Sequence, residues 1–338
     1  MVLILTNDTT SSRRWLVWVL RIAALVVVCI GVSGTVRHAL TELGQHEWHL
    51  KPAWLIVSGA AYVLGMAPMG WFWHRTLEAF GYQPPLSATM RAYYFGQLGK
   101  YVPGKAMVII LRVAAMRRWA PSMRLVIVSV FIETLTMMAV GASLAFLMSA
   151  LVLKLDAYIW LLALGMACAA GGPTLPFVLR WFGKLGAGRF VRDDAAKPQA
   201  ADSADDVSRL RGITFGVLGT GWVAAAIGWA LFATSLWGTL RAIGVDGVLL
   251  LENMPVLITA VALAVVAGFV SMLPGGLVVR DASLLFLLAP VCGEANALVV
   301  AVLMRLVWLV SEVLACGILY IGRKRSGQGS EVGDQRTQ

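Results

Sequence analysis

The sequence predicts an all-α polytopic membrane bundle of about seven or eight transmembrane helices, and three observations carry that prediction. Hydrophobic residues make up 59% of the 338 and charged residues only 14%, with a mean hydropathy of +0.77, outside the range of water-soluble globular domains. The apolar residues gather into seven windows, each near the roughly 20 residues that an α-helix needs to cross a bilayer. Those windows are continuous runs of Leu, Val and Ala, without the roughly ten-residue alternation of membrane β-strands.

The first window, Trp15 to Val36, follows Arg13 and Arg14. SRRWLV at 11–16 has the look of a twin-arginine export signal, but Val36 runs into Arg37 and His38 without a small-residue cleavage site, so an uncleaved span is expected. His38, His46 and His49 share the following loop; HEWH at 46–49 lacks a full ligand set, and no metal or other cofactor is expected. Ala53 to Trp73 is the second window. Between Phe80 and Ile132 come seven basic residues, Arg91, Lys100, Lys105, Arg112, Arg117, Arg118 and Arg124, and no acid.

Leu125 to Ser149 and Ala157 to Val178 are the third and fourth windows. Residues 183–212 then form a linker rich in Ala, Asp, Gly and Lys, too poor in large apolar side chains to order itself by burial. It separates a first transmembrane half, 1–182, from a second, 213–322, which contains the windows Ile213 to Trp237, Val248 to Val270 and Ala297 to Gly322. The polar tail, 323–338, is expected to be disordered. Cys29, Cys168, Cys292 and Cys316 lie singly in apolar sequence, which suggests core positions rather than disulfides.

Lys and Arg collect on the cytoplasmic side of inner-membrane proteins. The loops near 37–51, 150–156 and 238–247 carry few of them and should face outward, leaving the N-terminus, the 180–211 region and GRKRS at 322–326 inside. Seven passes would put GRKRS on the wrong side. An eighth pass through Ser283 to Val291 restores the parity.

Two stretches interrupt the apolar pattern in matching ways. GKYVPGKAMVIILR at 99–112 and MLPGGLVVRD at 272–281 each place Pro-Gly after an apolar residue and follow it with a short apolar run and an arginine. Proline removes a backbone donor and glycine permits a turn, so broken segments are expected near 96–112 and 271–290. One such stretch alone reads as an ordinary loop turn. Two at corresponding positions point to a substrate site between two repeats, because irregular backbone at membrane depth must be buried in protein or line a cavity.

The charges inside apolar sequence sharpen this expectation. An ionised side chain at a helix centre costs about 2.5–3.5 kcal/mol on insertion scales, so Glu133, Arg280, Asp281, Arg305 and Glu312 need partners or a cavity. Arg280 and Asp281 supply one pair at the break, and Arg305 and Glu312, seven residues apart, share a helix face. Together with Pro103, Gly104, Pro274, Gly275 and Gly276 at the breaks, and with Lys100, Lys105 and Arg112, they are the candidate substrate-binding residues. Ion pairs that only fix helix packing would fit the same residues. Trp71, Trp73, Trp119, Trp222 and Trp308 are expected as interfacial anchors or packing, with no ligand role.

GQLGKYVPGK at 96–105 with Arg112, the intramembrane Glu133, LPGGLVVRDA at 273–282, and Arg305 with Glu312 resemble the transmembrane region of the lysylphosphatidylglycerol synthase family, also described as flippase-like integral membrane proteins. The resemblance runs from about Arg13 to Arg325. The family's second element reads closer to LPGGLGVRE, so Val278 stands where a glycine is usual and Asp281 where a glutamate is. The resemblance implies a role in moving or presenting lipids without the family's separate soluble aminoacyl-transfer domain.

The leading expectation is a non-enzymatic protein of the cytoplasmic membrane that binds a phospholipid or polyprenyl-phosphate headgroup and helps it cross, with Arg280, Lys100 and Lys105 meeting phosphate and Glu133, Asp281 and Glu312 holding those cations in place or meeting a cationic headgroup. The alternative is a non-transporting subunit that docks a glycosyltransferase or lipid-modifying enzyme through its basic face. Nucleic acid is not an expected partner, and no Ser/His, HExxH or paired-Asp protease pattern occurs in the spans.

Overall fold

The computed structural model describes residues 50–101, 106–120, 122–178, 206, 208–271 and 278–334, with side chains as far as Leu319 in the last helix. The window Trp15 to Val36, the His38–His49 loop, Cys29 and most of the linker lie outside the described residues. The described residues form helices and turns with no strand. Nine α-helices follow in order: α1 (Pro52–Ala79), α2 (Leu86–Gln97), α3 (Ala106–Met116), α4 (Met123–Leu147), α5 (Ala157–Gly171), α6 (Phe215–Ala242), α7 (Leu250–Val270), α8 (Val279–Cys292) and α9 (Glu294–Asp334).

Six of these segments are long and apolar enough to span a membrane, and they coincide with the second to seventh sequence windows. The chain is a multi-pass membrane protein. In lipid every backbone N–H and C=O must be satisfied within the segment, which is why continuous apolar runs become helices here.

α1 and α6 form the central pair, antiparallel and close. Ser58 bonds Ser235 and Thr239 at one end, and a Cβ added at Gly65 or Gly228 would lie about 3 Å from the other's carbonyl oxygen. Without a hydrophobic drive between helices in lipid, such close packing of small residues is what joins them. Trp229 of α6 fills the space beside Gly141 of α4 and donates to the Met137 carbonyl at 3.0 Å. α5 packs chiefly on α4 and leaves Tyr158, Leu161 and Leu162 exposed, the outward apolar face that a lipid-facing helix shows.

The ends of the bundle differ in charge. Phe80, Ser122, Asp206 and Arg209 meet at one end, through bonds from Arg209 to the Phe80 carbonyl and from Ser122 to Asp206. Arg117, Arg118, Arg124 and Arg211 lie in the same segments. The opposite end holds Lys51, Arg241 and Asp246, joined by ion pairs of 2.7 and 3.1 Å, and the 153–156 loop.

α2 and α3 form a short antiparallel hairpin: Gly96 packs against Arg112, and Gly99 against the backbone of Val108. The start of α2 and the end of α3 both lie at the basic end, so the hairpin enters and leaves from one side. In the second half, α8 returns antiparallel to α7, since Val256 near the start of α7 and Val291 near the end of α8 line one cleft. With 14 residues, α8 is about 21 Å long, short of the ~30 Å hydrocarbon core. A single residue, Gly293 at φ +85°, then turns the chain into α9.

Residues 208–212, at the end of the linker, contact the bundle through buried Leu210 and the Arg209 bond to the Phe80 carbonyl, and α9 runs to Asp334. One expectation is corrected. Of the described cysteines only Cys316 is buried; Cys168 is exposed on the outer face of α5 and Cys292 is half-buried beside Gly293.

Candidate functional site

Residues from both interrupted regions meet on the last helix. The hydroxyl of Tyr62 in α1 and the ammonium of Lys100, in the 3-10 turn that ends α2, both donate to Oε1 of Glu312 in α9. Lys100 also donates to the Tyr62 hydroxyl at 2.9 Å, and Tyr101 faces the same carboxylate. From the second region, Asp281 at the start of α8 takes two bonds from Arg305 of α9, at 2.9 and 2.7 Å.

Local sequence explains these positions. Val278 is the N-cap of α8 and Asp281 lies three residues on, where its carboxylate also bonds the Val278 backbone, the reach-back of a capping box. Arg305, Trp308 and Glu312 fall at helical spacing and so share one face of α9. Asp281 and Arg305 lie twelve residues before and after Gly293. That puts their pair at one level of the α8–α9 hairpin, about 18 Å from the turn and near the middle of the apolar span Glu294–Leu319.

Arg280 is set apart from the other charges. Asp281 is turned to Arg305, not to its neighbour, so the expected Arg280–Asp281 pair does not form. Instead the Arg280 guanidinium lies 4.2 Å over the Trp308 ring, which stacks on Tyr62 at 4.1 Å. Arg280 is close enough to Lys100 and Arg305 to be repelled by both. Its Nη2 is buried and has no hydrogen-bond partner, and neither has Oε2 of Glu312.

Among the described residues the cluster holds three cations, Lys100, Arg280 and Arg305, against two carboxylates, Asp281 and Glu312, each already paired. The side chain of Lys100 is 28% exposed while that of Glu312 is fully buried, so the cluster opens on the Lys100 side. Chemically it offers a surplus guanidinium donor and a free carboxylate acceptor in a low-dielectric setting, and nothing in it resembles a nucleophile with its base.

Two other candidate residues are elsewhere. Arg112 of α3 and Glu133 of α4 form a pair of 2.7 Å that is 1% and 2% exposed. Arg112 is sandwiched between Trp73 and Tyr93, at 4.9 and 4.3 Å from the ring centres. Glu133 also accepts from Tyr93 and Thr134. This sealed pair anchors the hairpin to α4. Pro103, Gly104, Lys105, Pro274, Gly275 and Gly276 lie outside the described residues.

Sequence reasoning missed Tyr62, Tyr101 and Trp308 at the cluster. Trp308 was detectable, because it lies between Arg305 and Glu312 on the face already singled out; the two tyrosines join only through tertiary packing. A cleft of about 380 Å³ exists far from this chemistry, where Leu153, Ile159, Val256, Phe286 and Pro290 meet at the less basic end. Its lining is mainly apolar, with Lys154 and Asp156 its charged members. Among the described residues no group of His, Cys, Asp and Glu is arranged to hold a metal.

Compared with known protein families, the chain matches the model described as "Lysylphosphatidylglycerol synthase TM region" over residues 16–316. No curated protein matches it.

Proposed function

The chain belongs to the family of the lysylphosphatidylglycerol synthase transmembrane region, and from that premise we propose that it binds the phosphate of a phospholipid or polyprenyl-phosphate headgroup at Arg280 and carries the lipid across the cytoplasmic membrane. The surplus guanidinium carries this reading. An arginine at membrane depth costs roughly 2.5–3.5 kcal/mol on insertion scales; Asp281 attracts Arg280 but gives its hydrogen bonds to Arg305, and an arriving phosphate offsets the cost that remains. Guanidinium suits the task because its planar fork matches two phosphate oxygens at once. Arg280 also lies in the first turn of α8, where the helix N-terminus favours an anion.

Family membership supports the lipid, and the arrangement supports the passage. Arg280 stands about 20 Å along α8 from the Gly293 turn, near neither surface, and the re-entrant hairpin brings Lys100 to the same depth. The arginine-rich end faces the cytoplasm in this reading, since positive loops are retained there; α9 ends on that side, and the N-terminus shares it. No bond-making step is assigned to the protein.

Proteoliposomes carrying a fluorescent phospholipid test the proposal. Protein should speed loss of the label to an external quencher, Arg280→Ala should return the rate to that of empty vesicles, and Arg118→Ala at the surface should leave it unchanged. Equal rates with and without wild-type protein would reject translocation. A docking subunit is the second reading, favoured by the exposed Arg117–Arg118–Trp119 corner; an enzyme co-purifying at one-to-one stoichiometry, with no lipid movement, would favour it instead.

A further inference from the structure

Binding of phosphate to Arg280 satisfies one of two buried groups that lack partners in the cluster. The other is an acceptor. The Tyr62 and Lys100 donors both go to Oε1 of Glu312 and the Tyr101 hydroxyl faces the same carboxylate, while Oε2 is buried and makes no hydrogen bond. The side chain of Glu312 is fully buried, so bulk water does not make up the deficit. A buried polar atom left without its hydrogen bond is penalised by its full desolvation, and this one belongs to a charged group.

We propose that Glu312 determines headgroup specificity by accepting, at Oε2, a hydrogen bond from a hydroxyl or ammonium on the same headgroup whose phosphate meets Arg280. The inference rests on the lipid-binding reading and goes beyond it by stating what the headgroup must carry. Trp308 and Tyr62 link the two contact points: Trp308 lies beneath Arg280 and stacks on Tyr62, whose hydroxyl bonds Glu312. A donor and an acceptor thus flank one aromatic surface. A phosphodiester with a free hydroxyl or amine fills both, whereas a methylated headgroup fills only the first and leaves the carboxylate oxygen unpaired.

The test uses the full-length chain in detergent and compares lipid affinities by native mass spectrometry, in two pairs matched for charge. Phosphatidylglycerol and phosphatidylmethanol differ in the hydroxyls; phosphatidylethanolamine and phosphatidylcholine differ in the N–H donors. Wild type should favour the donor-bearing lipid in at least one pair by roughly 10–100-fold, the range of a hydrogen bond to a charged group. Preference in the first pair identifies a hydroxyl as the donor, and in the second an ammonium.

Glu312→Gln, which keeps the shape, should bring the ratio to near one while phosphatidylmethanol still binds. Arg280→Ala should weaken every lipid alike. If Glu312→Gln fails to fold, the wild-type ratios alone still decide. Ratios near one in both pairs, or a preference that survives Glu312→Gln, would overturn the specificity role and leave the Arg280 reading standing. No binding of any lipid would defeat that reading and this one together.

Discussion

Glu133 shows what an intramembrane carboxylate needs when it is not part of an open site. Three donors surround it, from Arg112, Tyr93 and Thr134, and two aromatic rings enclose the arginine. Removing one member of such a pair leaves a buried charge exposed to low dielectric. Glu133→Ala should thus lower stability by about 3–5 kcal/mol, and the double replacement Arg112→Met with Glu133→Leu by much less; reversible unfolding in mixed micelles measures both. Val278 is a second residue with a physical cost. A β-branched side chain at φ +68° is a genuine outlier, and the family resemblance places glycine at this point. Val278→Gly should raise the melting temperature, by the equivalent of about 1 kcal/mol once the added freedom of the unfolded chain is deducted.

Arg280, Asp281, Arg305 and Glu312 were legible because a charge is expensive in apolar sequence, and Lys100 because it stands beside the first Pro-Gly break. Their pairing was not legible. Arg280 and Asp281 are neighbours in sequence, but successive residues on a helix point in different directions, and Asp281 finds Arg305 through the α8–α9 hairpin. Aromatic residues gave no signal of their own, since tryptophan and tyrosine in membrane proteins are so often interfacial.

At the level of elements, the second to seventh windows announced their helices, and a further short helix, α8, covers the segment Ser283 to Val291. The α2–α3 hairpin was harder to read because neither arm is long enough to register as a span. Its closeness depends on glycine: a Cβ at Gly99 would come within 2.5 Å of the Val108 backbone nitrogen, and backbone cannot move aside as a flexible side chain can. Gly99→Ala should cost about 1–3 kcal/mol and displace Lys100, so lipid binding should weaken more than thermal stability falls. Gly293→Ala provides the contrast. It strains the φ +85° turn between α8 and α9, at a cost of about 1–3 kcal/mol; hydrogen exchange should show the loss spread along both helices.

The loop joining α6 to α7 responds to acid in a defined direction. The hydrogen bond from Lys51 holds the Asp246 carboxyl below its usual range. A depressed folded-state value means that the tie is fully present above the unfolded pKa of about 3.9 and is lost as pH falls through the lower, folded one. The group is exposed, so the effect is small. Asp246→Asn should flatten the slope of melting temperature against pH below about pH 4 and change little else.

For the whole molecule, charge asymmetry fixes a testable orientation. A single reporter cysteine at Arg118 should react with an impermeant maleimide only after the inner face is opened, and one at Lys154 should react from outside in intact cells; the background needs Cys168 replaced, because it is exposed. Reversed labelling would invert the arrangement of all six spans. The overall architecture was readable since hydropathy and positive charge act over long stretches of sequence. A site shared by the two halves was also expected from the paired breaks, but which face of α9 meets each interrupted segment was not readable, because that is set by packing between helices.

That helix acts as a shared tie-bar. Through Glu312 it grips Lys100 of the first half, and one face-length away, through Arg305, it grips Asp281 of the second. α9 belongs to the second half, so the Glu312 grip is its tie to the first and the Arg305 grip its tie to α8. If the proposed lipid passage moves these parts, slack at either grip should leave lipid binding in place and slow the passage.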